Sequence, residues 1–137
     1  MRIRQAAELL GVSDDTVRRW IDNGTLPASQ DQAGRKVIAG HVLAEFWRNN
    51  ARPLPPDPLS IGSSARNRFV GLVTDVLSDR VMTRVEMQCG PHTVVSLMST
   101  EAARELKLEP GSLAVAVVKA TTVIVETPKA PEDLAAD

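Results

Sequence analysis

The sequence predicts an α+β chain of two unlike modules: a small helical head carrying a hairpin, and a β-barrel of about five strands with one short helix. Three observations predict it. Apolar residues recur at helical spacing before residue 50 and mostly at every second position after residue 66. Between these regions, four of the nine prolines fall within Pro53 to Pro58. The length of 137 residues suits one ordinary domain or two small ones.

Composition narrows the function. The hydrophobic share of 43% and charged share of 24% are ordinary for globular protein. The net charge of -1 carries no overall signature of nucleic-acid or membrane binding, so any phosphate contact must come from local placement. Residues 1–50 hold seven Lys/Arg against six acids. The single Cys89 excludes an intrachain disulfide, and no paired Cys/His spacing suits zinc. No apolar run approaches the roughly 20 residues needed to span a bilayer. "MRIRQAAELLG" has helical apolar spacing interrupted by Glu8, which reads as structure, so a cytoplasmic protein is expected.

In the head, residues 1–50, Ile3, Ala6, Ala7 and Leu10 share one helix face that stops at Gly11. Ser13 suits the N-cap of a second helix, with Asp14 and Asp15 in the first turn, where the helix dipole favours acids. Val17, Trp20 and Ile21 form its apolar face, and Asn23-Gly24 ends it. "LPASQDQAGRKVI" offers a hairpin tipped at Ala33-Gly34, and "GHVLAEFWRNN" a third helix with Val42, Leu43, Phe46 and Trp47 inward. Two helices joined by a short glycine-containing turn make the helix-turn-helix plan.

Residues 51–63, "ARPLPPDPLSIGS", have restricted φ and few backbone donors and read as a semi-rigid linker. The barrel follows over 64–127. "RFVGLVTDVL" and "RVMTRVEMQC" alternate as strands, the second with Val81, Thr83, Val85, Met87 and Cys89 on one face. "HTVVSLM" is a third strand, and Ser99 caps a helix, "TEAARELKL". "SLAVAVVKATTVIVE" is one bent strand or two. About five strands and a helix in this order suit an oligonucleotide-binding (OB)-like barrel. Residues 128–137 are a polar, proline-broken tail.

"RQAAELLGVSDDTVRRWIDNGTLP" followed by "GRKV" resembles the winged helix-turn-helix of excisionase and MerR-type DNA-binding domains. The resemblance implies that the second helix presents Thr16, Arg18 and Arg19 to the major groove of double-stranded DNA. Arg35 and Lys36 on the wing would reach phosphates or the minor groove. From Ser64 to Glu126, "SARN", "G-x-V", "MSTEAARELKLEPG" and "VVKATTVIV" occur in order and resemble a molbindin (Mop/TOBE) domain. That resemblance implies binding of molybdate or tungstate, as the tetrahedral dianion, at an interface between subunits. Ser64 would supply its hydroxyl, Ala65 and Arg66 backbone N–H groups, and Arg66 its charge. Lys119, Ala120 and Thr121 would close the site, and Ser99 matches a further donor position. Short hydroxyl side chains, turn N–H groups and one or two cations are the donors a buried dianion requires.

The pair of modules is similar to molybdate-responsive transcriptional regulators, with a smaller head and one molbindin unit in place of two. Self-assembly is expected, as a dimer or higher, up to a hexamer. The alternative is a molybdate storage or buffering protein whose head serves assembly or protein contact. No nucleophile–base pair, metal cluster or phosphate loop marks an enzyme, and no cofactor beyond the anion ligand is expected.

Overall fold

The computed structural model describes residues 1–128, and the expected tail lies outside the described residues from 129 onward. Two compact units are present, built from Met1–Arg52 and Pro53–Val125.

The first unit contains α1 (Ile3–Leu10), α2 (Asp14–Asp22), a two-stranded hairpin of β1 (Ser29–Gln30) and β2 (Lys36–Val37), and α3 (Gly40–Asn50). Gly11 ends α1 at φ 70°, a left-handed cap that glycine adopts without steric cost. The Val12 N–H then closes onto the Ala7 carbonyl at 3.0 Å. Ser13 caps α2, its hydroxyl accepting the Thr16 N–H at 3.2 Å. Ala6 and Ala7 are buried, and their small size lets α1 and α2 pack closely. Val17, Leu26, Ile38, Leu43 and Phe46 complete the core, with Trp20 tilted against Phe46 at 5.1 Å between ring centres. Trp47, expected inward, is 40% exposed; at i+1 from Phe46 it lies about 100° round the helix from that buried residue.

The second unit is one antiparallel sheet in the order β5-β4-β3-β6, with one short helix. Its elements are β3 (Asn67–Ser78), β4 (Met82–Cys89), β5 (His92–Ser99), α4 (Thr100–Glu105) and β6 (Leu113–Val118). The long β3 serves two partners: Asn67 to Leu72 pair with β6, and Leu72 to Ser78 pair with β4. A register shift between Val73 and Asp75 bends it where the partners change. Gly71 sits at the crossover, where a Cβ would lie 2.2 Å from the Gln88 carbonyl oxygen, so only glycine fits. Val73, Val85, Met87 and Cys89 form the core. Thr83 is buried on the same face, its hydroxyl bonded to Ser78 and Thr100 at 2.8 and 2.9 Å. Val81, expected on this face, is 70% exposed because it precedes β4 in the turn that Asp79 organises.

Among the described residues the sheet has four strands rather than five. The β-branched run divides at Lys119: β6 ends at Val118, a 3-10 turn spans Ala120–Thr122, and Val123, Ile124 and Val125 continue unpaired and exposed. Among the described residues that segment pairs with neither open edge of the sheet. Residues from Pro53 belong to the sheet's unit. Asp57 accepts from Arg68 Nε at 2.7 Å, and Leu54 lies against Gly90.

Candidate functional site

The register places two of the predicted anion-binding segments side by side. Asn67 pairs with Val118, so Ser64–Ala65–Arg66 lead into one strand where Lys119–Ala120–Thr121 leave the other. The Asn67 side-chain amide fixes this junction by donating to the Val118 carbonyl at 3.1 Å. On the first segment, the Ala65 N–H donates to the Ser63 hydroxyl and the Arg66 guanidinium to the Ser63 carbonyl. Ala65 is buried while Ser64 and Arg66 flank it exposed, so this turn anchors its middle and presents its ends.

On the second segment, the Lys119 carbonyl accepts both the N–H and the hydroxyl of Thr122, which closes the 3-10 turn. The N–H groups of Ala120 and Thr121 open that turn and have no acceptor among the described residues. The Ser64 hydroxyl, the Thr121 hydroxyl and the Lys119 ammonium are likewise unpartnered among the described residues, and all three residues are exposed. The nearby Arg68 cation is taken up by Asp57, whose carboxyl Arg68 first and the Leu59 N–H second hold below the ordinary value. Hydrogen-bond donors and net positive charge therefore meet at one end of the β3–β6 pair. Such a set can bind an oxyanion.

Ser99 does not join them. It ends β5 opposite Met82, beside the Ser78 end of β3, with the twelve residues of β3 between it and Ser64. Its hydroxyl accepts the Ala102 N–H at 3.1 Å as the cap of α4. The pairing of Arg68 with Asp57 carries no sequence signal, because neither residue stands in a recognisable pattern.

The residues predicted to face DNA divide by their partners. Thr16 shares a hydroxyl bond with Ser13 at 2.9 Å, which ties it into the cap. Arg18 pairs with Asp15 at 3.5 Å, Arg35 with Asp31 at 3.0 Å and Lys36 with Asp22 at 3.0 Å. The last contact brings the hairpin and the end of α2 together. Arg19 is exposed, and its guanidinium has no partner among the described residues. Arg2, a cation that the sequence did not single out, reaches Asp31 at 3.6 Å.

Comparison with known proteins agrees with both halves of this layout. Residues 63–125 match the family model described as the TOBE domain, and residues 1–51 match that of a helix-turn-helix domain. Molybdenum transport protein ModE of Herbaspirillum seropedicae is 37% identical over 70 residues, covering 50% of this chain and 26% of its own. Molybdenum-pterin-binding protein MopB of Rhodobacter capsulatus is 31% identical over 114 residues, covering 74% of this chain and 42% of its own. The chain thus spans less than half the length of either curated relative. Among solved structures, a molybdate binding protein from Sporomusa ovata aligns with a TM-score of 0.47 at 27% identity, over 49% of this chain and 100% of that one. The chain therefore joins a helix-turn-helix domain to a TOBE domain.

Proposed function

We propose that this protein is a molybdate-responsive DNA-binding regulator, with tungstate as an equivalent ligand. The observation that carries the reading is the junction of Ser64–Arg66 with Lys119–Thr121. It gathers unpartnered hydroxyl, N–H and ammonium donors, and the one carboxylate bonded beside it is already paired with Arg68. A tetrahedral dianion satisfies such donors. Sulfate offers the same charge and a smaller radius, so selectivity rests on the size of the closed site. The junction is open to solvent in one chain, and closing it requires a second copy.

The exposed Val123–Ile124–Val125 segment supports assembly, with Ile124 84% exposed. In this reading the segment supplies the fifth strand of a barrel on a neighbouring copy, and Ser99 reaches a junction only across such an interface. The winged character of the head, of the MerR/excisionase kind, and a cytoplasmic location belong to the same reading, as does binding without catalysis. For a switch, the anion must bind two arrangements of the assembly with different affinity.

Isothermal titration of the full chain with molybdate, with sulfate as control, tests the anion site. Saturable heat with molybdate and none with sulfate is expected. No heat with either molybdate or tungstate would sink the proposal. Operator affinity is expected to differ between zero and saturating molybdate. Stoichiometric anion binding by a protein with no DNA affinity would point instead to storage.

A further inference from the structure

We infer that Arg2 and Arg35 form a two-guanidinium clamp for one backbone phosphate of duplex DNA, with Asp31 as the residue that positions both. The inference rests on the DNA-binding reading and adds a contact residue that neither the helix-turn-helix pattern nor α2 contains.

The N-terminus is built into the hairpin. The Met1 amine donates to the Ile38 carbonyl at 2.7 Å, and Arg2 forms an antiparallel bridge with Val37. Arg2 therefore runs beside β2, which begins at Lys36 immediately after Arg35. Asp31 opens the hairpin turn. Its Oδ1 accepts the N–H groups of Ala33 and Arg35, each at 2.9 Å. Its Oδ2 accepts Arg35 Nε at 3.0 Å, and the same oxygen has an Arg2 guanidinium nitrogen at 3.6 Å. Two cations far apart in sequence thus converge on a single oxygen atom.

That geometry leaves a charge over. One carboxylate neutralises one guanidinium, and the hairpin turn needs only the Oδ1 bonds. Holding two like charges this close costs Coulomb energy, which one carboxylate offsets only in part. The remaining unit of positive charge is met by one phosphodiester, a monoanion. Each guanidinium carries five N–H donors in a rigid fork, so both retain donors for phosphate oxygens after the Asp31 contacts. The side chains are 34% and 57% exposed, enough to reach a ligand while Asp31 remains more enclosed. Lys36 ties the hairpin to Asp22 at the end of α2, so the clamp adjoins the helix that bears Arg18 and Arg19.

A phosphate clamp does not read sequence, so a short duplex of random sequence is a sufficient probe. Affinity is measured against salt concentration for the full-length protein and for Arg2→Gln, Arg35→Gln and the double variant, with thermal melting of each. Each single change is expected to lower the slope of log affinity against log salt by about 0.9 and to weaken binding about fivefold near physiological salt. Because the clamp neutralises one phosphate, the double variant should lower the slope by about 0.9 in all, as each single change does, while weakening binding further. Arg2→Lys, which keeps the charge without the fork, should retain the slope and lose part of the affinity; full affinity in that variant would refute a bidentate role. Native melting with unchanged slope and affinity in Arg2→Gln would reduce Arg2 to a strut and overturn the clamp alone. Absence of duplex binding by the unaltered protein even at low salt would overturn the DNA-binding reading and the clamp with it.

Discussion

Gly71→Ala is the sharpest test of the sheet that carries the anion junction. A Cβ at this position would lie 2.2 Å from the Gln88 oxygen and 2.7 Å from Cys89 Sγ. Ordinary contact of a Cβ begins at 3.4 Å, so β3 and β4 must part by about 1 Å in an interior packed as densely as an organic crystal. Gly71 does not have positive φ, so alanine would otherwise stabilise by about 0.4–1 kcal/mol through the unfolded chain. Against that stand an overpacking cost of about 1–3 kcal/mol and about 1 kcal/mol for a weakened ladder bond. The net expectation is a loss of about 2 kcal/mol, which lowers the urea midpoint of this unit by roughly 1–2 M.

The two units can be followed separately. Both tryptophans, Trp20 and Trp47, lie in the head, so their fluorescence reports on it, while far-UV circular dichroism also reports on the sheet. The fluorescence transition should stay in place while the sheet transition moves. Adding Cys89→Ala removes the sulfur clash but leaves the Gln88 carbonyl, so rescue should be incomplete. Gly62→Ala, with nothing within 4 Å of the new methyl, is the silent control. An unchanged sheet midpoint in Gly71→Ala would refute the close approach of β3 and β4.

Further outcomes are expected at the anion junction, the head and the carboxylates. Lys119→Ala should weaken molybdate binding roughly tenfold or more, since one charge near 4 Å from a dianion contributes about 2 kcal/mol even in water. Arg19→Ala should leave that titration intact while weakening duplex binding, and the reverse pattern would mean the two roles are misassigned. Ser13→Ala removes the acceptor for the Thr16 N–H and should cost the head about 1 kcal/mol, read by tryptophan fluorescence in urea; an unshifted midpoint would deny the cap its role. Acid should also destabilise the fold. The Met82 and Val81 N–H groups hold Asp79 below the ordinary carboxylate value; the Arg35 N–H does so first for Asp31, and the Arg68 side chain for Asp57. Folded values below unfolded ones add stability above about pH 4 and lose it as pH falls through the folded values, so the melting temperature should decline below about pH 4. A flat profile down to about pH 3 would contradict these pairings.

Much of the molecule is legible in the sequence because the signals are local. Gly11 and Ser13 mark the helix boundary through backbone groups within one turn of themselves, and both act there as the sequence predicts. Alternation from Thr83 to Cys89 names a buried face because strand side chains alternate whatever the partner. The two flanking motifs of the anion junction are recognisable as words in the chain, and their register partners, Asn67 and Val118, follow from the pairing of the strands that bear them.

Other features depend on which distant residue arrives where. Periodicity places Trp47 and Val81 on apolar faces, yet both lie where the face reaches solvent. The β-branched run after β6 has the composition of a strand, but a strand needs an edge brought alongside it, and among the described residues it pairs with neither open edge of the sheet. The cations of the head look free in the sequence, whereas Asp22 and Asp31 claim Lys36 and Arg35 across the turns that fold the hairpin back. Ser99 stands as a strong word in its motif but lies at the far end of β3 from Ser64. The sequence by itself thus determined the elements and the residue types of the sites, because backbone capping and side-chain alternation act over a few residues. Only the tertiary structure decided which donors remain unpaired, because that depends on carboxylates and carbonyls brought in from elsewhere in the chain.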